Sequence, residues 1–517
     1  MHELEPSPRQ ANIIGIDLGT DFTTVTRFNE AGMAEITNNA EGQPQTPSVI
    51  QIGESGDVIV GTEGKKLAGR GIENVFAEFK RDMGTPNKSW PVGGKDVSPI
   101  DLTAILLKRI VADYAKQYGQ PDIISITFPG NFRTEQRHAT IVAAHRAGLK
   151  NVRFIEENAA VALYLATTQS LDGKYLICNF GAGTFDVTLI EAHGREVKIL
   201  YQDGVQQLGG MDFDNVLLKM IGDKFRTNIG DEFDALDCNF DKAATESAKH
   251  TLSHRDHAKL HMVSDKHGPV SIDLTRSEFE AATAHLVEQA EMACENVLRC
   301  GKDNPEGFVR MGDLRTVFLT GGTFRTPFVQ SRISALFGQK AMLTDPHFTA
   351  AYGAALHAAI NLSNTEYTPA QAKAVDGLSI SLITPHYLGT SIYSPDAVGI
   401  INDTVIAKGQ PLPCTVTRTY YAVHANQSAI RYDLTESAIE EINHDFVTTI
   451  YEGECQLPPR FSNKPLTYIY AYDINGCGYL RFSPPGFDPE KMGVTANLVP
   501  PGPPIILGLL SSESAIL

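Results

Sequence analysis

The sequence lacks the features that mark membrane and exported proteins. None of its apolar runs approaches the 18 or so residues that a membrane-spanning helix needs. The first ten residues, MHELEPSPRQ, form neither a basic-then-apolar signal peptide nor an Arg-rich transit peptide. The seven cysteines are odd in number and include no C-x-x-C motif, which favours reduced thiols over a disulfide framework or a zinc site. We therefore expect a cytoplasmic protein without membrane attachment.

Positive charge is also scarce. The chain has 44 Lys and Arg residues against 61 Asp and Glu residues, a net charge of -17. Such a charge repels nucleic-acid phosphates and anionic lipid, so we expect no direct binding to nucleic acid. A nucleotide would need a local site made of backbone N–H groups and a metal ion. The length, 517 residues, and the hydrophobic content, 42%, predict about three ordinary globular domains.

The common nucleotide-binding fingerprints are missing, but a different glycine pattern occurs twice. No Gly-Lys is followed by Ser or Thr, which excludes a Walker A loop, and residues 181–186 (GAGTFD) lack the third glycine of the dinucleotide fingerprint. Residues 13–28 and 175–192 each consist of an apolar strand, a polar residue, a glycine-containing turn and a second strand. The two polar residues, Asp17 and Asn179, are 162 positions apart. This spacing predicts two similar half-domains.

The remaining pattern predicts an α/β region followed by an all-β region. Strands alternate with helices up to residue 362, including a helix at 101–116 with Asp101 as its N-cap and a helix from a Thr275–Glu278 capping box to about residue 298. Residues 363–375 are polar and predict a linker. Short alternating runs, with a hairpin turn at 475–476, predict a β-sandwich over 376–483. Its predicted strands are 378–383, 404–409, 416–423, 446–453, 466–473 and 479–482. Residues 484–517 contain seven prolines and cannot form one continuous helix.

A glycine turn of this kind can bind phosphate. Without a bulky Cβ, consecutive backbone N–H groups approach the oxygens of an anion closely. A polar residue ahead of each turn can hold hydrated Mg²⁺ against the same phosphates. The alternative for each turn alone is an ordinary tight β-turn. Two facing turns together predict a site for the terminal phosphates of a nucleotide.

With these motifs, the sequence resembles the Hsp70 chaperone family over roughly residues 12–482. The resemblance implies an α/β actin-like ATPase domain of two lobes at 12–362, followed by an all-β substrate-binding-like domain. It rests on residues 16–20 (IDLGT), 46–49 (TPSV), 74–84, 128–129 with Arg137, 181–186, 246–253 (ESAKHTLS), 319–327 (LTGGTFRTP) and 378–392.

The resemblance also implies roles for individual residues. The catalytic residues would be Lys80, Glu157 and Thr184, and Asp17 and Asn179 would hold Mg²⁺ through water. Pro129 and Arg137 would form a switch between the domains. The nucleotide-binding residues would be Asp17, Gly19, Thr20, Asp21, Phe22, Gly181, Ala182, Gly183, Thr184, Glu246, Lys249, Ser253, Gly321, Gly322, Thr323 and Arg325.

Several of these assignments have ordinary structural alternatives. Glu157 could simply place negative charge at a helix N-terminus. Lys80 could be an exposed surface lysine. Glu246 and Lys249, at i and i+3, could be a simple helical ion pair. Arg325, whose planar guanidinium could lie along adenine, could instead form a surface salt bridge.

Five positions depart from the family pattern near the nucleotide. Asn179 replaces the aspartate that begins the second phosphate loop, and Asp21 stands where a hydroxyl residue is expected. The other three are Asn158 in place of proline, Ala182 in place of glycine, and His347 in place of aspartate. The Asn179 amide can accept a hydrogen bond from Mg²⁺-bound water but cannot act as a base, so we expect slower hydrolysis with binding retained. We also expect no helical lid after the β domain and no EEVD-like ending.

The sequence leaves two main functional hypotheses. The first is an Hsp70-type chaperone in which ATP binding and hydrolysis control the binding of unfolded or nascent polypeptide, with a J-domain co-chaperone, a nucleotide exchange factor and a role in protein folding and stress response. The second is a scaffold subunit that hydrolyses little or no ATP and partners a J-domain protein, as in the ribosome-associated complex. A third class, a sugar kinase or filament-forming actin relative, would share the fold but not the β domain.

Overall fold

A computed structural model describes most of the chain. The described residues are 10–68, 72–238, 240, 242–299, 309–338, 341–360, 362, 367–394, 399–422, 427–457, 465–483 and 494–495. No helix among them is long and apolar enough to cross a membrane. The six cysteines in these ranges are all free thiols.

The first lobe is organised around a mixed sheet whose strands lie in the order β11-β10-β1-β2-β3, with β4 also paired to β2. Strand β1 is almost wholly buried because its residues IIGIDL lie between layers of helices. It runs parallel to β10 and antiparallel to β2. The elements are β1 (Ile13–Leu18), β2 (Phe22–Phe28), β3 (Ala34–Thr37), β4 (Thr46–Pro47), β5 (Ile50–Ile52), β6 (Val58–Val60), α1 (Thr62–Leu67), β7 (Val75–Phe76), β8 (Trp90–Val92), β9 (Lys95–Val97), α2 (Pro99–Tyr118), β10 (Ile123–Phe128), α3 (Thr134–Arg146), β11 (Val152–Glu156) and α4 (Glu157–Thr168).

The start of α2 corrects one prediction. The N-cap is Ser98 and not Asp101, because Ser98 Oγ accepts the Asp101 N–H at 3.2 Å while the Asp101 carboxylate accepts the Ser98 N–H at 3.0 Å. The two residues thus form a capping box with the carboxylate at its third helical position. The capping box predicted at Thr275 and Glu278 is confirmed by the same reciprocal hydrogen bonds.

The second lobe repeats the arrangement of the first. Its sheet has the order β18-β17-β12-β13-β14-β19, in which β12 runs antiparallel to β13 and parallel to β17, as β1 does with β2 and β10. The elements that follow α4 along the chain, of which α9 and α10 pack on the first lobe, are β12 (Leu171–Phe180), β13 (Phe185–Gly194), β14 (Glu196–Val205), α5 (Gly210–Ile229), α6 (Lys242–His254), β15 (His257–Ser264), β16 (Gly268–Thr275), α7 (Arg276–Arg299), β17 (Leu314–Thr320), α8 (Pro327–Leu336), β18 (Met342–Leu343), α9 (Thr349–Ala359), α10 (Pro369–Val375) and β19 (Ser379–Ser381).

Part of the predicted linker at 363–375 is a helix. Helix α10 begins with Thr368 as its N-cap and packs on the first lobe, where Gln371 is fully buried and donates to the Phe28 carbonyl at 3.2 Å. Strand β19 then pairs with the edge strand β14. The polar composition concealed this helix because its buried residue is a hydrogen-bonded glutamine. Residues 363–366 lie outside the described residues, and the β-sandwich starts later than residue 376.

The β domain consists of two four-stranded sheets, β21-β20-β23-β24 and β22-β25-β26-β27. Tyr432, Tyr468, Tyr470 and Tyr472 lie in the core between them. Strands β20 and β23 were not among the predicted strands, and the hairpin predicted at 475–476 joins β25 to β26. Of the tail 484–517, only β27 falls within the described residues. The elements are β20 (Tyr387–Ser394), β21 (Gly399–Ile406), β22 (Cys414–Tyr420), β23 (Ala429–Ser437), β24 (Thr448–Gln456), β25 (Leu466–Tyr472), β26 (Gly478–Ser483) and β27 (Val494–Thr495).

Candidate functional site

The two glycine turns meet in the cleft between the lobes. A Cβ added to Gly183 in the β12–β13 turn would lie 2.6 Å from Thr20 Oγ1 in the β1–β2 turn. A Cβ added to Gly209, at the start of α5, would lie 2.1 Å from the Ala182 carbonyl oxygen. Only glycine allows backbone to approach this closely. The two turns predicted to face each other are therefore in direct contact.

A cavity of about 510 Å³ opens beside these turns. Its volume is within the range of small-molecule and cofactor sites. All the residues predicted to bind nucleotide or to act in catalysis line it, whereas Pro129 and Arg137 do not. The lining residues include Asp17, Gly19, Thr20, Asp21, Phe22, Lys80, Glu157, Asn179, Gly181, Ala182, Gly183, Thr184, Glu246, Lys249, Ser253, Gly321, Gly322, Thr323 and Arg325.

A buried ion pair lies at the junction of the turns. Lys80 is only 6% exposed, which contradicts the surface-lysine alternative. Its Nζ donates to Glu157 Oε1 at 3.0 Å and to the Leu18 carbonyl. The second oxygen, Glu157 Oε2, accepts the Asn179 Nδ2–H at 2.8 Å. Glu157, the first residue of α4, thus joins the cation from the first lobe to the amide from the second.

Two carboxyl groups, one partly and one fully buried, flank this pair. Burial, with the Glu157 charge adding to it, raises the pKa of Asp17 to about 6, although the Asp17 carboxylate accepts a 2.7 Å hydrogen bond from Thr127 Oγ1. The same two causes raise the pKa of Asp186 to about 7. Asp186 was not named as a site residue, and the signal that could have found it is its place at the end of the GAGTFD motif.

The oxygen donors at this point suit magnesium. Asp17 supplies a carboxylate, and Asn179 keeps its Oδ1 as an acceptor because its amide nitrogen is engaged by Glu157. Carboxylate and amide oxygens are hard ligands of the kind Mg²⁺ takes, usually with several retained waters and substrate phosphates. These two residues could hold the ion, and its charge would offset the repulsion that raises the Asp17 pKa.

A lysine that the sequence analysis missed offsets the extra carboxylate at Asp21. Lys65 Nζ lies 3.1 Å from Asp21 Oδ1, 3.5 Å from Glu246 Oε2 and 4.5 Å from the centre of the Phe22 ring. Burial raises the pKa of Asp21, and Lys65 opposes that shift. Lys65 therefore balances this carboxylate, and it links the first lobe to Glu246 in the second.

The helical ion pair considered for Glu246 and Lys249 does not form. Lys249 Nζ instead contacts Asp214 Oδ2 at 2.7 Å and donates to the Gly210 carbonyl at 3.1 Å, which ties α6 to α5. Its neighbour Ser253 donates to the Lys249 carbonyl at 3.0 Å. Helix α6 thus presents its polar side chains to the cavity with their positions already fixed.

The loop after β17 closes the other side of the cavity. Thr323 Oγ1 donates to the Gly181 carbonyl at 2.9 Å, and Gly321 has a φ of 90°, which favours glycine. Arg325 is exposed at the rim and pairs with no acidic side chain in the described ranges, so its surface salt-bridge alternative is not formed there. Burial, aided by Arg325, lowers the pKa of His347 beside it.

The predicted switch residues lie between the cleft and the β domain. Arg137 is 1% exposed and its Nη2 contacts Glu156 Oε1 at 2.8 Å and the Gly130 carbonyl at 2.6 Å, next to Pro129. Its Nη1 donates to the Asn475 carbonyl in the β domain at 3.0 Å. Because Glu156 directly precedes Glu157, the Arg137 side chain connects the candidate site to the β domain.

Further contacts join the first lobe to the β domain beside Arg137. Glu436 accepts hydrogen bonds from Thr134 Oγ1 at 2.8 Å, Thr134 N at 3.1 Å and Tyr472 OH at 2.9 Å. His386 Nε2 lies 3.2 Å from the Asn131 carbonyl. The domains therefore meet through buried polar groups as well as through the inserted strand β19.

A family model described as Hsp70 protein matches residues 13–445. The chain belongs to the Hsp70 family. The chaperone protein DnaK of Thermosipho melanesiensis is 30% identical over 440 residues, covering 82% of this chain and 70% of the relative. DnaK of Thermosipho africanus is 30% identical and DnaK of Thermotoga neapolitana 31%, each covering 81% of this chain and 69% of the relative. Hsp70 membership confirms the resemblance and makes this a chaperone-family chain with an actin-like ATPase domain. Binding of ATP or ADP with magnesium, and of unfolded polypeptides and co-chaperones, is general in the family.

Proposed function

We propose that this Hsp70-family chain binds Mg·ATP between the two glycine turns and hydrolyses it slowly, and that the nucleotide controls polypeptide binding by the β domain. The proposal includes a J-domain co-chaperone and a nucleotide exchange factor as partners. The observation that carries it is the buried Lys80–Glu157 pair at the point where the two turns meet. A buried ion pair is costly unless its geometry is well satisfied, so its position in the cleft favours a functional role.

Lys80 supports hydrolysis through its charge. Its ammonium is held by Glu157 and the Leu18 carbonyl at the edge of the cavity. There it can stabilise negative charge as the terminal phosphoryl group leaves. Bound magnesium would supply further charge neutralisation. Glu157 orients the lysine and can accept a hydrogen bond from the attacking water.

Asn179 is the reason to propose slow turnover. Its amide donates a hydrogen bond to Glu157 Oε2, so that oxygen is less available to accept a hydrogen bond from the attacking water. An amide also cannot accept a proton from water, which removes general-base assistance worth about 10²–10⁴ in rate at that position. Nucleotide binding does not depend on this base, so it should persist.

Arg137 supports control of the β domain by nucleotide. It bonds at once to Glu156, next to Glu157, and to Asn475 in the β domain. A change in the position of Glu157 when nucleotide binds would therefore reach the domain interface through two neighbouring residues.

Single-turnover hydrolysis tests the proposal, with binding of Mg·ATP measured by calorimetry in the same preparation. Lys80→Ala should bind Mg·ATP but lower the rate by about 100-fold or more. The matched control is Lys88→Ala, since Lys88 is 38% exposed and lies outside the cavity lining. Absence of Mg·ATP binding would remove the whole proposal.

The second candidate is a scaffold that binds ATP without useful turnover, and the amide of Asn179 favours it. The same experiment separates the two functions. Binding with equal, very low hydrolysis rates in the wild type and Lys80→Ala would establish the scaffold and reject the ATPase.

A further inference from the structure

Two histidines of α6 lie on the wall of the cavity beside the glycine turns. His250 and His254 both line this cavity and are exposed to solvent. They are four residues apart in the helix Lys242–His254, which sets their Cβ atoms about 5–6 Å apart on one face. The family resemblance gives neither residue a role in nucleotide binding or catalysis. The two imidazoles are therefore a pair without an assigned function.

Neither imidazole is engaged by the protein. In the part of the chain that the structure describes, no hydrogen bond or ion pair reaches the ring of His250 or His254. Their neighbours on the same helix differ, because Lys249 is held by Asp214 at 2.7 Å and Ser253 donates to the Lys249 carbonyl at 3.0 Å. The ring nitrogens of the two histidines are thus available to a ligand from solvent.

The spacing of the pair suits a metal ion. Neutral imidazole is a common ligand of divalent transition-metal ions such as Zn²⁺ and Ni²⁺. Two histidines at i and i+4 of a helix can ligate the same ion, with metal–nitrogen distances of about 2.0–2.1 Å for zinc. His250 and His254 have this spacing, and their exposure lets both rings turn toward one ion without disturbing the core.

The surroundings decide how many protein ligands the ion would have. Burial and Arg325 lower the pKa of His347, and the charge of His250 adds to this shift, so the two rings are near each other. No group of three or more possible metal ligands converges among the described residues, so the ion would have two protein ligands and otherwise water. The Arg325 charge opposes a cation, whereas Lys249 is neutralised by Asp214 and the net charge of the chain, -17, favours cations.

We propose that His250 and His254 bind a divalent transition-metal ion of the Zn²⁺ and Ni²⁺ class on the wall of the cavity. The site differs from the Mg²⁺ position at Asp17 and Asn179 in its ligands, which are nitrogens and not oxygens. Mg²⁺ and Ca²⁺ prefer oxygen ligands, so neither should compete for the histidine pair. Because both ligands come from the protein, the ion should bind without nucleotide, and failure of this site would leave Mg·ATP binding unaffected.

Calorimetric titration of Ni²⁺ into the full chain, without a purification tag or nucleotide, tests the proposal. Ni²⁺ is the probe because it suits imidazole, whereas Zn²⁺ would also bind the free thiols. The wild type should bind Ni²⁺ at one high-affinity site, and an excess of Mg²⁺ should leave that affinity unchanged. His250→Ala and His254→Ala should each weaken binding at least about tenfold, since the second ligand no longer acts within the same molecule.

The matched control is the double variant His257→Ala, His261→Ala. These histidines have the same separation in sequence, but they lie on strand β15, where four residues span roughly 13 Å, too far for one ion. Their removal should leave the high-affinity site unchanged. A second control, His254→Arg with Arg255→His, keeps the number of histidines but moves one away from the face of His250, so it should bind as weakly as His254→Ala.

Thermal unfolding gives a second measurement. Ni²⁺ should raise the unfolding temperature of the wild type and not that of the double variant His250→Ala, His254→Ala. The proposal is overturned if Ni²⁺ fails to bind the wild type or binds this double variant as tightly. It is also overturned if Mg²⁺ displaces Ni²⁺, or if the His257 and His261 variant loses as much affinity, since binding would then depend on the number of histidines and not on their spacing.

Discussion

Arg137 and Asn475 are joined by a 3.0 Å hydrogen bond from the guanidinium Nη1 to the main-chain carbonyl. The next residue, Gly476, has a φ of 67°, and a Cβ there would lie 2.5 Å from the same nitrogen. The β25–β26 turn is therefore shaped to receive the arginine. The same side chain bonds to Glu156 and to the Gly130 carbonyl, so the turn and the cleft share one rigid group.

Replacement of Arg137 by lysine should loosen the domain interface. Lysine keeps the charge beside Glu156 but lacks the planar fork that also reaches three carbonyls. These are the carbonyls of Gly130, Phe132 and Asn475. We expect the Gly478 amide, which donates to Thr134 Oγ1 at 3.1 Å, to exchange hydrogen about tenfold faster or more. Mg·ATP affinity should change less, because Arg137 does not line the cavity.

Arg146→Lys is the matched control. Arg146 is in the same helix, α3, and pairs with Asp101 at 2.7 Å within the first lobe. Its replacement should leave Gly478 exchange unchanged. Equal exchange in Arg137→Lys and the wild type would contradict the role given to Arg137.

The contact between the two turns predicts that replacing Gly183 weakens nucleotide binding. In Gly183→Ala the new Cβ would lie within 3.1 Å of three Thr20 side-chain atoms and push the turns apart. Mg·ATP affinity should fall at least about tenfold, since phosphate binding needs both turns. Gly222→Ala in α5 is the control, because Gly222 lies outside the cavity lining and the nearest atom to its Cβ would be the Phe233 Cβ at 3.7 Å. Calorimetry of both variants decides, and equal affinities would refute the shared phosphate site.

Asn179→Asp should raise hydrolysis but destabilise the nucleotide-free protein. The new carboxylate would replace an amide that lies 2.8 Å from Glu157 Oε2 and would add to the charges that raise the Asp17 pKa. We expect a loss of about 1–3 kcal/mol in unfolding free energy without Mg·ATP. With Mg·ATP the single-turnover rate should rise about tenfold or more.

Asn179→Ala distinguishes the added carboxylate from the lost amide. It frees Glu157 without adding charge, so it should not raise the rate. If Asn179→Asp hydrolyses no faster than the wild type, the slow step lies elsewhere in the site.

Glu436 and His386, at the interface between the first lobe and the β domain, should make docking of these domains depend on pH in opposite directions. Burial, with Glu135 nearby, raises the pKa of Glu436 from about 4.5 to about 7. Docking of the β domain on the first lobe therefore takes up a proton between about pH 4.5 and 7. It becomes more favourable as the pH falls through this range. Burial lowers the pKa of His386 well below 6.5, so docking releases a proton and weakens as pH falls below 6.5.

The wild type should therefore show little pH dependence of docking between about pH 5 and 8, because the two effects oppose each other. Glu436→Gln should make docking weaken with acid, and His386→Asn should make it strengthen, each by up to about tenfold per pH unit. The docked fraction can be followed by small-angle X-ray scattering. If the docked fraction changes with pH in the same direction in both variants, Glu436 and His386 are not the groups that set the pH dependence of docking.

Local patterns were sufficient for the two glycine turns with their flanking strands and for helices α2 and α7. The turns at Gly19 and Gly183 follow from steric needs that only glycine meets, and the Thr275 capping box follows from a four-residue pattern. Lys80 and Glu157 could be named only through the family resemblance, because nothing within 10 residues of either identifies its partner, 77 positions away.

The missed features depend on distant partners. Strands β20 and β23 were overlooked because buried polar residues interrupt their alternation: Thr390 bonds to Asp433, and Glu436 bonds to Thr134. Lys65 was missed because its partner Glu246 lies on the other lobe. In each case a polar side chain is buried by a contact that the local sequence does not encode.

Strand β19 holds the edge of the second lobe's sheet with three residues, Ser379–Ser381. So short a strand gives a small free energy of pairing, so its detachment should be frequent on the time scale of domain motion. Each detachment would bare both the β14 edge and the connecting peptide. We therefore expect limited proteolysis between α10 and β20 to become faster when the domains separate, so the cleavage rate would report on their separation.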